Sequence, residues 1–308
     1  MTCTTDTFGS EKTTGTAQAS IEPARPPATA AVPRRTALED GTPLSIEVGR
    51  NDMRLIDVIT APLRVWVSPR FHGLENIPAD GPALLVANHS LVALDGPLLI
   101  HEVLRRHGRL VRGITDHGLM DKPVMGKLVQ RTGGVRGTRE ICRALLEHGE
   151  IVMVLPGGTR EAFRRKHEKY VLKWEGRTGF ARMAIEAGVP IIPIAMIGSN
   201  DAFDIVIDGH HALMWPLRRL GAAGPRQNPA PPLFHGLGPT LLPKPQRFYF
   251  SLGAPIDAAQ WRGPDDRAPE LQSVVREALE KEFAFLFAER ERDRGRTLWG
   301  RTRTALRL

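Results

Sequence analysis

A histidine and an aspartate follow an apolar run in the string ALLVANHSLVALDGPLL. His89 comes just after a predicted strand, and Asp95 stands at the predicted start of a helix. This is the carboxyl end of a strand, where α/β sheets bind their ligands. Six residues correspond to about 600° on a continuous helix, so the two side chains can meet only if a loop or turn lies between them.

A contact between these side chains would make His89 a general base. The Asp95 carboxylate would hold one ring N–H and stabilise the imidazolium, while the other ring nitrogen took a proton from a hydroxyl group. Because no G-x-S-x-G string is present, the pair favours direct attack by that hydroxyl without a covalent enzyme intermediate. The alternative is that Asp95 only caps a helix and His89 is an ordinary loop residue.

Two glycine-containing loops stand near predicted helices. GGVRGTRE covers residues 133–140 and precedes a helix, whereas LPGGTRE covers residues 155–161 and follows an apolar strand. Glycine lets the backbone approach a ligand, exposed N–H groups attract anions and arginine pairs with phosphate. Either loop alone could be an ordinary turn. We expect Asn88 to orient the loop that carries His89, the histidine loop. The candidate binding residues are Asn88, Gly134, Arg136, Arg139, Pro156, Gly157, Gly158, Thr159, Arg160 and Glu161.

Apolar runs alternate with helix-like patterns over residues 82–197. This alternation predicts an α/β fold with a mainly parallel central sheet and helices on both faces. Gly108, Gly149 and Gly188 each precede an apolar strand, in the place of a left-handed residue that ends a helix. The Pro- and Gly-rich residues 208–245 are predicted to form a long excursion from this core.

The two ends of the chain differ from its middle in composition. Residues 1–45 are rich in Thr, Ala and Pro, so we expect a disordered tail. Residues 46–70 look amphipathic and broken at Pro62, and we expect them to associate with a membrane. The folded domain is predicted to span residues 71–288, followed by an Arg-rich tail over residues 289–308.

The net charge of +8 lies outside the first fifty residues, which carry five basic and six acidic side chains. A basic surface attracts acidic lipid headgroups, nucleic acid or the phosphates of a coenzyme. Between Arg160 and Arg177, basic residues alternate with aromatic and aliphatic ones, which suits an anionic bilayer, a nucleotide or an ordinary solvated face.

Several classes of protein and site do not fit the sequence. No basic recognition helix or aromatic ribonucleoprotein motif is present, so nucleic acid is not an expected partner. No HExxH, Walker or dinucleotide string occurs, and we expect no metal and no resident cofactor. Two cysteines, Cys3 and Cys142, cannot build a disulfide framework, and no signal-like or spanning apolar run is seen, so a reducing, cytosolic setting is expected.

The order of these strings resembles the phospholipid/glycerol acyltransferase family, which includes lysophosphatidate acyltransferases. The resemblance covers roughly residues 70–257 and begins with the lead-in FHGLENIP at residues 71–78. The family's first motif falls on His89 and Asp95, its second on Gly134 to Arg139, its third on Pro156 to Arg160 and its fourth on Val189 to Pro193.

Two departures from the common family pattern stand out. Five residues separate His89 from Asp95 where four are usual, and Gly157 stands where a glutamate is usual, with Glu161 after the arginine. Both are similar to the branch of monoacylglycerol and diacylglycerol acyltransferases and their bacterial relatives, as are RTGFAR from Arg177 and IGSNDAF from Ile197. A neutral glycerolipid and a lysophospholipid therefore both stay open as the acceptor.

The resemblance implies an O-acyltransferase that moves a fatty acyl group from acyl-CoA or an acyl carrier protein to a glycerolipid hydroxyl. His89 and Asp95 would be catalytic, Arg139 and Arg160 would hold a phosphate of the acceptor or the donor, and Gly157 and Gly158 would let backbone amides face the oxyanion. The implied partners are acyl-CoA, the glycerolipid and an anionic membrane surface, with the protein peripheral on the cytoplasmic face. No pattern specifies an oligomeric state. The alternatives are a lipid or thioester hydrolase and a catalytically inactive lipid-binding homologue.

Overall fold

A computed structural model describes residue 37 and residues 50–115, 120–121, 123–216, 230–298 and 300–301. The helices are α1 (Arg50–Val67), α2 (Asp95–His107), α3 (Pro123–Arg131), α4 (Arg139–Glu147), α5 (Gly158–Ala162), α6 (Gly179–Ala187) and α7 (Ala268–Arg292). The strands are β1 (Arg70–His72), β2 (Ala83–Ala87), β3 (Val111–Thr115), β4 (Val135–Arg136), β5 (Ile151–Val154), β6 (Pro190–Ile197), β7 (Asp204–Ile207), β8 (Leu233–His235), β9 (Tyr249–Leu252) and β10 (Ile256–Asp257). The predicted tail of residues 1–45 lies, apart from residue 37, outside the described residues.

The main sheet has the strand order β1-β9-β6-β2-β5-β3-β4, and β10 pairs with the start of β6. Strands β6, β2, β5, β3 and β4 are mutually parallel, whereas β9 is antiparallel to β6 and β1 is parallel to β9. The predicted mainly parallel sheet is confirmed. The loops that follow β2, β4 and β5 therefore meet at one edge of the sheet.

Strand β2 packs against helices on both faces of the sheet. Leu84 and Val86 belong to an apolar cluster with residues of α4, α6 and α7, whereas Ala83, Leu85 and Ala87 belong to a second cluster with residues of α2. All five side chains are buried. Both faces of this strand are covered, which explains its continuous apolar run and confirms the predicted layering.

All three predicted helix-ending glycines have positive φ, and Gly149 (φ 90°) follows the end of α4. Gly108 (φ 66°) ends α2 and donates its amide to Leu104 O, and Gly188 (φ 66°) ends α6 and donates to Ala184 O. These positions favour glycine because a Cβ atom disfavours positive φ.

Helix α1 differs from the prediction, because it runs without a break from Arg50 through Pro62 to Val67. Pro62 is exposed, so water can hydrate the carbonyl whose helical hydrogen bond the proline removes. The prediction of a broken segment was wrong for this reason. The last turn of α1 packs on the core through Val67, which is fully buried.

The arginines at the carboxyl end of the chain contact the rest of the domain. Helix α7 continues through Arg292, past the predicted boundary at residue 288. Beyond it, the Arg301 guanidinium donates to Trp66 O (2.8 Å), Ser68 Oγ (2.8 Å) and Pro245 O (2.6 Å). Within residues 208–245, the described parts include β8, which pairs with β7 as a two-stranded sheet apart from the main one.

Candidate active site

A cleft with a volume of about 430 Å³ opens at the carboxyl edge of the parallel strands. It is lined by residues that end or follow β2, β3, β4 and β5 and by residues of α4 and α6. Five residues predicted from the sequence line it, namely His89, Arg139, Pro156, Gly158 and Thr159. The topology of the sheet thus brings the histidine loop and both glycine loops to one place.

Much of the cleft lining is apolar. Its apolar members include Ile114, Cys142, Val154, Phe180 and Met183. Burial raises the pKa of the Cys142 thiol to about 11, so this side chain is protonated at neutral pH and adds to the apolar lining. The sequence did not indicate that these residues line a site, because in a strand or helix pattern they look like ordinary core residues.

His89 presents a neutral imidazole to the cleft. Its Nδ1 atom lies 2.7 Å from the carbonyl oxygen of Ser90, so Nδ1 carries the proton and Nε2 is left as an acceptor. Burial lowers the pKa of the imidazole below its usual value, against the opposing effect of that hydrogen bond. This is the protonation state that a general base requires.

Asp95 is a buried carboxyl group at the start of α2. Its Oδ1 atom accepts hydrogen bonds from Ser90 Oγ (2.9 Å) and from the amide of Gly96 (3.1 Å). Its Oδ2 atom is buried and has no hydrogen-bond partner among the described residues. Burial raises the pKa of Asp95 to about 6 and outweighs the hydrogen bonds that lower it.

His89 and Asp95 are linked through Ser90 and not by a direct hydrogen bond. The histidine contacts the Ser90 carbonyl, and the aspartate accepts from the Ser90 hydroxyl. The loop between β2 and α2 separates them, as expected for side chains that could not meet on a continuous helix. The direct contact anticipated from the sequence is absent among the described hydrogen bonds. Ser90, which no sequence pattern indicated, takes its place.

Hydrogen bonds from β6 and the loop after it hold the histidine loop. Asn88 donates from Nδ2 to Met196 O (3.0 Å) and accepts at Oδ1 from Met196 N (2.8 Å). Asn200 Oδ1 accepts from Leu91 N (3.1 Å), and Ser199 Oγ donates to Ser90 Oγ (3.1 Å). Asn88 therefore fixes the end of β2 beside β6 and does not itself line the cleft.

Three residues of the glycine loop at residues 133–140 line the cleft, namely Gly137, Thr138 and Arg139. A Cβ atom at Gly134 would lie 2.2 Å from Val129 Cγ1, so this glycine permits close packing. Arg136 forms an ion pair with Asp121 at 2.8 Å and lies outside the cleft. Arg139 lines the cleft, is exposed and forms no ion pair with a described carboxylate.

Arg177 holds the glycine loop at residues 155–161. Its Nη1 atom donates to the carbonyl oxygens of Pro156 and Gly157, both at 2.8 Å. Arg177 also lines the cleft. The amide of Gly158 donates to Leu155 O (3.0 Å) and is not available to an oxyanion. Of the two amides that the sequence analysis assigned to this role, only that of Gly157 remains a candidate.

Arg160 is close enough to Arg177 to repel its charge. Burial lowers the pKa of Arg177, and repulsion from Arg160 lowers it further. Arg160 does not line the cleft as described, although Thr159 beside it does. Arg139 and Arg177 are thus the two basic side chains of the cleft lining.

Glu161 is buried and lies outside the cleft lining. Its carboxylate accepts a backbone hydrogen bond at each oxygen, from the amides of His89 (2.8 Å) and Lys173 (2.8 Å). These contacts differ from the substrate-binding role that the sequence analysis assigned to it.

Part of the basic and aromatic stretch between Arg160 and Arg177 is buried and cannot touch a membrane. Arg164, Leu172 and Trp174 are only 2%, 3% and 1% exposed. Arg165 and Lys166 are exposed, so an interaction of this stretch with anions is restricted to such side chains.

Within the described ranges, no group of three or more His, Cys, Asp and Glu side chains could hold a metal ion. None of the helices in those ranges combines the length and the apolar composition needed to cross a bilayer.

Residues 68–197 match the protein-family model described as Acyltransferase. This part of the chain belongs to the acyltransferase family. The matched range contains the histidine loop, both glycine loops and the fourth motif at residues 189–193.

Curated relatives cover more of the chain. An uncharacterized protein of Mycobacterium tuberculosis is 32% identical over 234 residues, which are 73% of this chain and 63% of that protein. The human protein named DGAT1/2-independent enzyme synthesizing storage lipids is 30% identical, over 70% of this chain and 62% of its own. Phytyl ester synthase 2, chloroplastic, of Arabidopsis thaliana is 30% identical, and the match covers 71% of this chain and 34% of that protein. The chain thus spans less than two thirds of the length of each.

Solved structures are also similar to the chain. One of them is the 1-acyl-sn-glycerophosphate (LPA) acyltransferase of Thermotoga maritima, which is 20% identical and has a TM-score of 0.49, and the match covers 75% of this chain and 80% of that chain.

Proposed function

We propose that the protein transfers a fatty acyl group from a thioester donor to a hydroxyl group of a lipid. The observation that carries this proposal is the neutral His89 imidazole, whose Nε2 atom is left as a proton acceptor in a cleft with a mostly apolar lining that also includes Arg139 and Arg177. The membership of residues 68–197 in the acyltransferase family supports the same reaction.

In the proposed reaction, the acceptor hydroxyl gives its proton to His89 Nε2 while its oxygen bonds to the thioester carbonyl carbon. The tetrahedral intermediate then breaks its C–S bond, and the imidazolium returns the proton to the departing thiolate. Asp95 stays ionised near neutral pH, because its raised pKa of about 6 still lies below 7. The ionised carboxylate stabilises the imidazolium. No acyl group is attached to the enzyme at any step.

Arginines at the cleft favour a substrate that carries phosphate. Arg139 and Arg177 line the cleft, and Arg160 is close to Arg177. We propose that they bind the phosphates of acyl-CoA or of an acyl carrier protein's prosthetic group. The names of the human and Arabidopsis relatives refer to storage lipids and phytyl esters, which favours a neutral acceptor such as mono- or diacylglycerol over a lysophospholipid.

We further propose that the protein works as a peripheral protein at the cytoplasmic face of a membrane. Helix α1 supports this location, because Val58 and Val65 are 70% and 79% exposed and stand seven residues apart, on one face of the helix. An anionic surface would complement the basic charge of the domain.

The decisive experiment incubates the purified protein with labelled acyl-CoA and a panel of mono-, diacyl- and lysophospho-glycerolipids and identifies the products by mass spectrometry. His89→Ala should lower turnover by at least about 10²-fold, as loss of a general base does, while the protein stays folded. His211→Ala is the matched control, because that histidine lies in an exposed loop, and it should leave turnover unchanged.

Three outcomes would overturn the proposal. Unchanged turnover in His89→Ala would remove the base from the mechanism. Release of free fatty acid in the absence of acceptor would identify a hydrolase. Lipid binding without any transfer by the wild-type protein would identify an inactive homologue.

A further inference from the structure

Glu161 connects three segments of the chain that surround the active site. It lies on the short helix α5, and its Oε2 and Oε1 atoms accept the amide hydrogens of His89 and Lys173, each at 2.8 Å. The residue is 3% exposed. Each carboxylate oxygen therefore accepts a backbone amide, and one of these amides belongs to the histidine proposed as the base.

Gly157 makes room for this carboxylate. A Cβ atom at position 157 would lie 1.9 Å from Glu161 Cδ and 2.2 Å from Glu161 Cγ and Oε1. The backbone of Gly157 has φ −64° and ψ −31°, which any residue adopts without strain. Glycine is required here by the side chain of Glu161 and not by the backbone.

We propose that Glu161 is a positioning residue for His89, and that Gly157 and Glu161 act as a coupled pair in which the glycine admits the carboxylate that fixes the histidine loop. This inference rests on the proposed role of His89 as a base. Holding the His89 amide fixes the direction of its Cα–Cβ bond and thereby the place of the imidazole. A displacement of about 1 Å at a reacting group can cost about 10²-fold in rate.

The charge of Glu161 suits this role. Both of its partners are N–H donors, so a carboxylate can satisfy both, whereas an amide side chain offers one acceptor atom and loses one contact. Glu161→Gln should therefore retain part of the effect, and Glu161→Ala should leave two amides without their acceptor.

The test is a double-mutant cycle of Gly157→Ala and Glu161→Ala, with Glu161→Gln as the conservative variant. For each protein, kcat and KM are measured with the same lipid acceptor and labelled acyl-CoA, and the His89 ring resonances are followed by ¹⁵N NMR across pH. Glu102→Ala is the control, because Glu102 is another buried carboxylate, with Arg106 as its partner at 2.7 Å. It should change thermal unfolding without changing kcat or the His89 resonances.

We expect Glu161→Ala to lower kcat about tenfold or more with KM within about twofold, and Glu161→Gln to fall between it and the wild type. Gly157→Ala should match Glu161→Ala, because the new methyl group displaces the carboxylate. The double variant should be no worse than either single variant, since both remove the same interaction. The His89 resonances should shift in all three.

Additive losses in the cycle, or unshifted His89 resonances, would overturn the proposal. A raised KM at constant kcat would instead make Glu161 a substrate-binding residue, and a loss of kcat that only follows the unfolded fraction would make it a folding residue. Absence of acyl transfer by the wild-type protein would defeat the proposed function, while the NMR measurement would still decide whether Glu161 positions His89.

Discussion

Two ionisable groups at the active site have pKa values displaced in opposite directions by the same cause. Burial disfavours the charged form of each, so it lowers the pKa of His89 and raises that of Asp95 to about 6. At neutral pH the imidazole is therefore neutral and the carboxyl group is ionised. The proposed mechanism needs both of these forms.

The dependence of kcat on pH should reflect both groups. As the pH falls through about 6, Asp95 gains a proton, and His89 gains one at a pH below the usual 6.5 of an imidazole. Each event removes a required form, so kcat should fall steeply from pH 7 to pH 5 and stay level from pH 7 to pH 8 on this account. The measurement is initial rates at saturating substrate across this range. A maximum near pH 5 would contradict the assignment.

Arg139 should contribute to binding more than to the chemical step. Arg139→Ala removes from the cleft a cation that has no described carboxylate as its partner. KM for acyl-CoA should rise roughly tenfold, which corresponds to the loss of one charge-assisted hydrogen bond, and kcat should change less than about twofold. Arg143→Ala is the control, because Arg143 lies one turn along α4 and is paired with Glu147 at 2.7 Å. A loss confined to kcat would speak against phosphate binding at Arg139.

At the scale of helices and strands, the sequence was most informative where the pattern depended on local geometry. The left-handed glycines at Gly108 and Gly188 marked the ends of α2 and α6 because few other residues adopt that conformation. The continuity of α1 through Pro62 was not predictable, because it depends on solvent access and on packing of the helix against the sheet. The burial of Arg164 and Trp174 was missed for a similar reason, since a basic and aromatic string has the same composition on a surface and in a core.

Helix α1 should determine binding to membranes. The double variant Val58→Asp/Val65→Asp should reduce binding to vesicles of anionic phospholipid by about tenfold or more, because two apolar contacts with the bilayer are lost. Val206→Asp is the control, since Val206 is 54% exposed on β7. Sedimentation with vesicles measures the effect, and equal binding of the two variants would rule out α1 as the membrane contact.

At the scale of the whole molecule, sheet topology brings together residues far apart in the chain. The sequence could place His89, Arg139 and Pro156 after separate elements, because parallel strands end at one edge, and all three line the cleft. It could not find Ser90, Arg177 or the roles of Gly157 and Glu161, because these depend on contacts across the loops. The string RTGFAR was the one available signal for Arg177.

The buried Asp95 should reduce the stability of the whole domain. Its pKa of about 6 in the folded protein exceeds the usual 3.8. The free energy of unfolding therefore falls as the pH rises from about 4 to 6, and it stays lower at higher pH. Asp95→Asn should raise the free energy of unfolding at pH 8 by about 3 kcal/mol, and the gain should vanish near pH 4. Urea unfolding at both pH values measures this. Equal gains at both would mean that the charge is not the cause.

The Arg301 guanidinium joins the last turn of α1 and the residue Ser68 just after it to the segment that precedes β9. Shortening the recombinant protein before this residue would leave the Trp66 carbonyl and the Ser68 hydroxyl without their donor. The connection between α1 and the sheet would then loosen. An affinity tag for purification should therefore be added after residue 308 and should not replace the last basic residues.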